Sequence, residues 1–502
     1  MAERILIVGA GMAGLAAALA LGRDGREVTL VERDGPPPDL PPDALLTGWQ
    51  RPGALQLRHS HGFFGRLRNL LRGRYPDLYA QLLAAGARER TFADGLPPWM
   101  RPAYRARRGD EEMTGLYCRR ATLERVLHRY VEAQPGVVLH TACRAVGLRT
   151  RQADGRLAVA GLVVRRGDDA AGEAAEMPID CDTLIDAGGL RSPFAGWLRE
   201  RGATIDEERH PTGILYFTRF YRLRAGCVEP DGQGHPRVGD LGYLKFGIFP
   251  ADGGTFSLTL VVPTVERELA ALRHPHLFER ACRALPLLAA WSERGDPLTG
   301  VFALGGQDNL WRRFVVGGRP AALGYFAAGE AAVRANPLYG SGCSLTFTHA
   351  HLLADVLAGT SDPLARVLRF DALGQEVLYP FYRSTLRRDR ESQRRARHAA
   401  AGDCPPRRRE RAARLVVERG LTPAMRGDLT VRRAVFRDMH LLEAPGRALR
   451  RPRVALRILW FLLRGRRHAA PFALPPLGPG RGEMRRLLGL GLAGPAPDQT
   501  VP

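Results

Sequence analysis

Short apolar runs alternate with helical periodicity through the first two hundred of the 502 residues. Ile5-Leu6-Ile7-Val8 reads as a buried strand, the small and apolar residues from Met12 onward as a helix, and Val28 to Val31 as a second strand. Pro36-Pro37-Pro38 and Pro41-Pro42 then forbid helix and central strand alike and mark a connecting loop. Helical spacing returns over Phe63 to Ala85, carried by Leu67, Leu70, Leu71, Leu78, Leu82 and Leu83, and again over Ala121 to Ala133. Gln134-Pro135-Gly136 turns the chain into a strand at Val137 to His140. Leu162 to Arg166 with the region near Ile179 predicts a β-hairpin, and Thr183 to Asp186 a buried strand, so the first half keeps returning to one sheet.

The pattern changes from about Pro211. Ile214 to Tyr221 is strand-like, and Phe246 to Phe249 is joined to Thr255 to Val262 through Ala251-Asp252-Gly253-Gly254, a hairpin signal. Phe256, Leu258, Leu260 and Val262 alternate with Ser257 and Thr259, as in an antiparallel sheet with one buried face. Tyr216, Arg219 and Tyr221 are expected to line a pocket from one face of that sheet. Gly324 to Ala328 resumes a small and apolar strand, and a helix runs from about Cys343 to Ala358. Beyond Leu368 the chain is helical and arginine-rich, with Arg387-Arg388, Arg394-Arg395 and Arg407-Arg408-Arg409, and from Gly478 it is rich in Gly and Pro. The division expected is 1–205, with a substrate-side segment at about 86–110; an antiparallel substrate unit, 206–310; a return segment, 311–370; and a helical C-terminal region, 371–502.

The formal net charge is +22, with 74 Lys and Arg against 52 Asp and Glu, and Lys245 is the single lysine. Such an arginine bias fits genomic base composition, yet the excess still attracts anionic partners. Seven cysteines, Cys118, Cys143, Cys181, Cys227, Cys282, Cys343 and Cys404, are widely spaced with no C-x-x-C pair, as expected of reduced, mostly buried thiols in a cytoplasmic protein. No secretory signal is read at the start. Val454 to Leu463 is broken by Arg457 and is far short of the roughly 20 residues a spanning helix needs; a core helix is favoured over membrane-surface association. Arginines interleaved with acids, and no recognisable reading motif, argue against nucleic acid.

The first strand opens into Gly9-Ala10-Gly11-Met12-Ala13-Gly14, and the second ends in Glu32. Gly9 permits the tight turn, Gly11 lets a pyrophosphate approach the backbone, and Gly14 lets helix and strand pack closely. The helix dipole points at the diphosphate while Glu32 accepts from ribose hydroxyls, so this is a dinucleotide-binding βαβ unit.

Further segments bring a family into view. Gly329-Glu330-Ala331 followed by Asn336-Pro337-Leu338-Tyr339-Gly340-Ser341-Gly342 resembles the Gly-Asp-Ala and Asn-Pro-x-x-Gly-x-Gly segments of FAD-dependent monooxygenases of the aromatic-hydroxylase fold. Arg120-Ala121-Thr122-Leu123 with Leu127 is similar to that family's Arg-x-x-Leu-x-x-x-Leu helix. The resemblance covers roughly residues 1–370. It implies an α/β fold with a Rossmann-like, GR2-type FAD-binding domain, an inserted antiparallel sheet and a helical C-terminal region. It also implies that Glu330, one methylene longer than the family's Asp, holds the ribityl chain with Gly329 before it. Pro337 then lies beside the isoalloxazine, Gly340, Gly342 and Cys343 at the following helix start face its pyrimidine edge, and Arg120 approaches the cofactor.

Asp186-Ala187-Gly188-Gly189-Leu190-Arg191-Ser192 falls where many members carry an Asp-Gly pair tied to FAD and NAD(P)H, and here the Asp is replaced by Gly188. The polyketide epoxidase branch shares that loss and a Gln-x-x-His-x-His segment like Gln56-Leu57-Arg58-His59-Ser60-His61, which implies that Arg58 and His59 lie near the ring. The activity implied is insertion of one oxygen atom from O2 by hydroxylation or epoxidation, through a flavin C4a-hydroperoxide, in secondary metabolism. FAD is the cofactor, NADH or NADPH the electron source, directly or through a flavin reductase, and the substrate a small molecule or a carrier-bound one; no metal is called for. The alternatives are a dehydrogenase or reductase of an isoprenoid or polyene, a flavin halogenase, which needs an early lysine this chain lacks, and a non-enzymatic flavoprotein scaffold for anions or membrane surfaces.

Overall fold

The computed structural model describes residues 3–167, 176–230, 237–401, 408–472 and 476–490. Arg407 and Cys404 lie outside the described residues, as do residues 491–502. Five parallel strands form the central sheet, in the order Tyr325–Ala327, Thr183–Asp186, Ile5–Val8, Val28–Val31, Val137–His140. The two-residue period splits Ile5–Val8 between two cores. Ile5 and Ile7 pack among the helices Met12–Arg23, Arg120–Glu132 and Gly342–Gly359. Leu6 and Val8 meet Leu162, Val164 and Phe194 on the other side.

Leu162 and Val164 belong to an antiparallel sheet of Cys143–Ala153, Arg156–Arg166 and Glu176–Asp180. The hairpin expected near Ile179 is present, with Leu162 opposite Ile179, and it is extended by a first strand whose half-exposed residues carry little periodic signal. The single helix expected over Phe63 to Ala85 is two, Gly65–Arg74 and Pro76–Ala84. Tyr75 (φ −138°, ψ 63°) breaks it because Pro76 drives its predecessor out of the helical region.

A second antiparallel sheet runs in the order Val238–Asp240, Lys245–Pro250, Thr255–Pro263, Ile214–Leu223, Gly295–Pro297. Every residue of Thr255–Pro263 is buried, so the expectation of one buried face is corrected: both faces are covered. Phe256, Leu258, Leu260 and Val262 pack beneath the helices Pro275–Ala284, Pro286–Ser292 and Arg481–Leu488, each buried Leu or Phe contributing about 1.5–3 kcal/mol. The Gly- and Pro-rich stretch from Gly478 thus contains a helix that anchors Met484 and Leu488 in this core. Ser257 and Thr259 face inward, where both take hydrogen bonds with the Ser60 hydroxyl. Tyr216, Arg219 and Tyr221 do not share a face. The three-residue step from 216 to 219 reverses the side chain, so Tyr216 points inward while Arg219 and Tyr221 meet Glu279 on the outer side at 2.7 and 2.6 Å.

The C-terminal region is helical, as expected, with Tyr379–Ala401, Thr422–Gly427, Leu429–Met439 and Pro452–Ala469 as its main pieces. Val454 and Phe461 enter a local core with Ala424 and Val431, while Leu456, Leu459, Trp460 and Leu463 of the same helix are exposed. Among the described residues no helix is long and apolar enough to cross a membrane. Of the cysteines, Cys118, Cys143, Cys181 and Cys282 are buried, Cys343 is half-buried and Cys227 is exposed.

His440 ties this region to the first domain: its Nδ1 accepts the Gly65 backbone N–H at 2.8 Å, and burial lowers its pKa to about 4. The unfolded chain, with a histidine pKa near 6.5, binds the proton more readily. The contribution is therefore complete above about pH 6.5 and is lost as pH falls toward 4. Between pH 7 and 5 the native protein is expected to lose about 2 kcal/mol more stability than His440→Asn, which keeps an acceptor without the titration. Urea unfolding at both pH values measures this, and equal losses would contradict the assignment.

Candidate functional site

A cavity of about 1140 Å³ lies between the carboxyl edge of the parallel strands, where Val8, Val31 and Ala187 line it, and the inner face of the second sheet, where Thr218, Thr259 and Val261 do. That exceeds the roughly 300–1,000 Å³ of a single small-ligand pocket, and the carboxyl edge of an open parallel sheet is where such folds bind nucleotides.

Two helices begin at this cavity, and the glycines before them divide the labour. Gly9 has φ +101°, and a Cβ on it would stand 2.6 Å from the Ala187 carbonyl oxygen; one on Gly14 would stand 1.7 Å from the Gly9 oxygen. These two are demanded by packing. Gly11 lines the cavity with nothing within 4 Å of where its Cβ would be, just ahead of the helix Met12–Arg23. The second helix repeats the arrangement: Gly340 (φ +66°) abuts the Phe64 ring, while Gly342, with open space beside it, starts the helix Gly342–Gly359 at the cavity wall. Each end offers unpaired N–H groups and a positive dipole end to an anion. The Ser341 and Ser344 hydroxyls at the second end are buried without a protein partner.

Glu32 lines the cavity with its carboxylate already held by the Ala10 and Asp34 N–H groups and by Arg51 at 3.1 Å. Of roughly four acceptor positions on a carboxylate, this leaves one for a ribose hydroxyl. Arg51 bridges Glu32 to the fully buried Glu124, and Glu124 receives Arg120 at 2.6 Å. Burial opposes the Arg120 charge, but Glu124 more than offsets it and raises the pKa. Glu330 also lines the cavity; Gln56 Nε2 donates to both its oxygens at 3.2 Å, which fixes the longer side chain across the gap.

The Asn336–Gly342 turn is clamped from three directions. Asn336 Oδ1 caps Leu338 N and accepts from the Tyr216 hydroxyl at 2.9 Å; its N–H donates to Asn309; its Nδ2 donates to Asp389 on the long helix Tyr379–Ala401. Asp389 also accepts from Asn309 and Tyr339, at 2.7 and 2.9 Å. Arg51, Asn309 and Asp389 escaped the sequence reading, and no local pattern marks them; Gln56 stood inside a recognised segment but was given no role there.

Of the other expected site residues, Gly329 (φ +60°) packs against Ala13, where a Cβ would approach that methyl to 2.7 Å, and Pro337 and Cys343 line the cavity. Arg58 is a correction. Its guanidinium turns away to Gln50 at 2.8 Å and over the Phe302 ring, because the extended backbone at His59 sends His59, Ser60 and His61 to the cavity instead. Burial holds His59 near pKa 4, and burial with the Arg120 charge holds His61 near 3, so both are neutral at pH 7. Asp186 is fully buried and bonds inward to Ser192, Tyr325 and Gly188 N, while Gly188 itself lines the cavity.

Residues 4–39, the glycine-bearing unit, match the FAD dependent oxidoreductase family called DAO. Solved structures match far more of the chain. The probable FAD-dependent monooxygenase PqsL of Pseudomonas aeruginosa aligns over 80% of this chain and all of its own, at 16% identity and a TM-score of 0.55. The anhydrotetracycline hydroxylase OxyS of Streptomyces rimosus aligns over 88% of this chain and 76% of its own, at 18% and 0.53. The myxobacterial chondrochloren halogenase CndH aligns over 93% and 99%, at 16% and 0.55. This chain has the flavin-hydroxylase fold. No curated protein matches it in sequence. Its N-terminal unit is that of an FAD-dependent oxidoreductase, and the site fits FAD: two open glycine cradles at helix N-termini, an anchored acid at the second strand, and unpartnered serines beside the turn.

Gly11→Ala is expected to keep the fold, with a melting temperature within a few degrees of the parent, and to lower FAD content several-fold by filling the cradle. Gly14→Ala, whose methyl meets backbone, is expected to fail to fold. Absorption at the flavin band per chain and thermal unfolding distinguish them; equal behaviour of the two variants would contradict the assignment.

Proposed function

We propose that this protein is an FAD-dependent monooxygenase that inserts one oxygen atom of O2 into an organic substrate, small or carrier-bound, by hydroxylation or epoxidation. The observation that carries the reading is the continuity of one cavity, from the two helix N-termini, past the inner face of the second sheet, to an apolar wall of Leu96, Met425, Val435, Phe436 and Met439. Cofactor and substrate share that space. FAD, when bound, supplies the oxygen chemistry. The chain's own residues do the rest: the N–H groups after Gly11 bind the diphosphate, Glu32 and Arg51 orient the adenosine end, and Glu330, braced by Gln56, receives the ribityl chain. The N-terminus of the helix starting at Gly342 would hold the flavin's ring edge and offer it a positive dipole end. Tyr216, Thr218, Thr259 and Val261 line the cavity from the inner sheet face and, with the neutral His59 and His61, would help to exclude water from a bound flavin.

Electrons come from NADH or NADPH through a separate flavin reductase. In support, the 186–192 loop presents Gly188 to the cavity and turns its one carboxylate, Asp186, inward. A halogenase is the second reading, because Lys245, the single lysine, also lines the cavity. Its ammonium is ion-paired with Asp240, which favours a structural role.

Anaerobic mixing of the FAD-loaded protein with NADH or NADPH is expected to leave the oxidised-flavin band in place, while dithionite bleaches it; rapid bleaching by either nicotinamide would overturn the two-component account. With reductase, NADH and a metabolite extract from cells lacking the gene, reaction under ¹⁸O2 is expected to yield a product carrying one labelled oxygen. A brominated product in the presence of bromide, or an unlabelled oxidised one, would replace this reading with halogenation or dehydrogenation.

A further inference from the structure

Buried arginines elsewhere in the fold are matched to carboxylates: Arg51 with Glu32 and Glu124, Arg119 with Asp252, Arg120 with Glu124, Arg312 with Glu207. Arg432 departs from this rule. It sits on the helix Leu429–Met439 in the cavity wall and is 4% exposed. Its guanidinium donates to the carbonyls of Gly95 and Met425 and stacks over the Phe436 ring, its Nε has no partner, and no carboxylate among the described residues pairs with it. A second guanidinium in the same wall, Arg426, is 2% exposed and stacks on Trp99. Burial, with the repulsion of Arg426, pushes the Arg432 pKa down to about 10.

The facing segment adds Arg90 and Arg101, whose side chains donate to the carbonyls of Asp94 and Leu96. The acid there, Asp94, is engaged by the Thr91 N–H and hydroxyl through one oxygen. This end of the cavity therefore combines a cationic wall with the apolar side chains of Leu96, Met113, Met425, Val435 and Met439. A buried guanidinium without a counter-charge is strongly unfavourable by itself, and a cleft of one sign walled by low-dielectric protein concentrates anions.

We propose that the substrate is an anionic amphiphile whose carboxylate, sulfonate or phosphate docks on Arg432 and Arg426, with its apolar body laid along the Met425–Met439 wall. The guanidinium fork suits such an oxoanion, and charge-assisted hydrogen bonds in a dry site are the strong ones. That the occupant is a substrate rests on the monooxygenase reading; the anion site does not. It also gives the C-terminal helical region, which supplies both arginines, a direct part in specificity.

The test uses two fluorescent probes that differ in one group, 8-anilinonaphthalene-1-sulfonate and the uncharged N-phenyl-1-naphthylamine, titrated into the FAD-loaded protein. The sulfonate is expected to bind at least about tenfold more tightly. Arg432→Gln should bring the two within about twofold, Arg432→Lys should restore part of the preference, and Phe436→Ala should weaken both probes alike. Equal affinity of the two probes for the unmodified protein would overturn the proposal without recourse to any variant, as would an undiminished preference in Arg432→Gln. FAD content measured on the same samples separates the two readings. Sulfonate preference without FAD binding would sink the flavin assignment alone, and FAD binding without the preference would sink the anion site alone.

Discussion

The carboxylate of Asp389 holds the cavity's parts in register. It gathers Asn309 from the strand Asp308–Arg313, Asn336 and Tyr339 from the turn ahead of the helix Gly342–Gly359, and it stands on the long C-terminal helix. Hydrogen bonds to a charged group contribute about 1.5–3 kcal/mol each, whereas burying a carboxylate costs several kcal/mol. Here burial prevails and raises the Asp389 pKa despite three donors. The interaction is thus a device of position more than of stability. It fixes the turn that starts the second helix, and through Asn336 and the Tyr216 hydroxyl it ties that turn to the sheet above.

Electrostatics at the site follow the same economy of charge. Glu32 and Glu330, the two acids expected to meet the cofactor, are each braced by a neighbouring donor, Arg51 and Gln56, that sets the carboxylate's direction before anything binds. Preorganised groups of this kind need no reorganisation when a ligand arrives. His59 and His61 in the cavity wall are held neutral by burial, and two helix N-termini add their positive ends to the same space. Arg432, with no carboxylate partner among the described residues, adds a further positive charge to the same cavity, beside the apolar side chains of Leu96, Met425 and Met439.

Much of this is legible in the sequence. The strand–glycine–helix–strand–acid order is local, and each residue in it answers to a backbone constraint or a two-residue period, so Ile5–Val8, Val28–Val31 and Glu32 fall where the pattern put them. The turn from Asn336 to Gly342 was readable for the same reason. What pattern could not reach was contact between distant segments. Asp389 lies among arginines on a helix that reads as a solvated face, and Arg51 lies in a proline-bounded loop, yet both are buried by elements far away in sequence. Arg58, Arg219 and Tyr221 mark the other limit: whether a side chain points into the site is settled by the neighbours it packs against, and along a strand one residue of phase moves it to the opposite side.

On the proposed reading the cavity holds a flavin by its adenosine diphosphate half as well as by its ring. Titration of the FAD-free protein with FAD and with FMN, followed by flavin fluorescence, tests that directly. One FAD per chain, with FMN binding weaker by about a hundredfold or more for want of contacts at Gly11, Glu32 and Arg51, is the result predicted. Equal binding of FAD and FMN, or binding of neither, would contradict it.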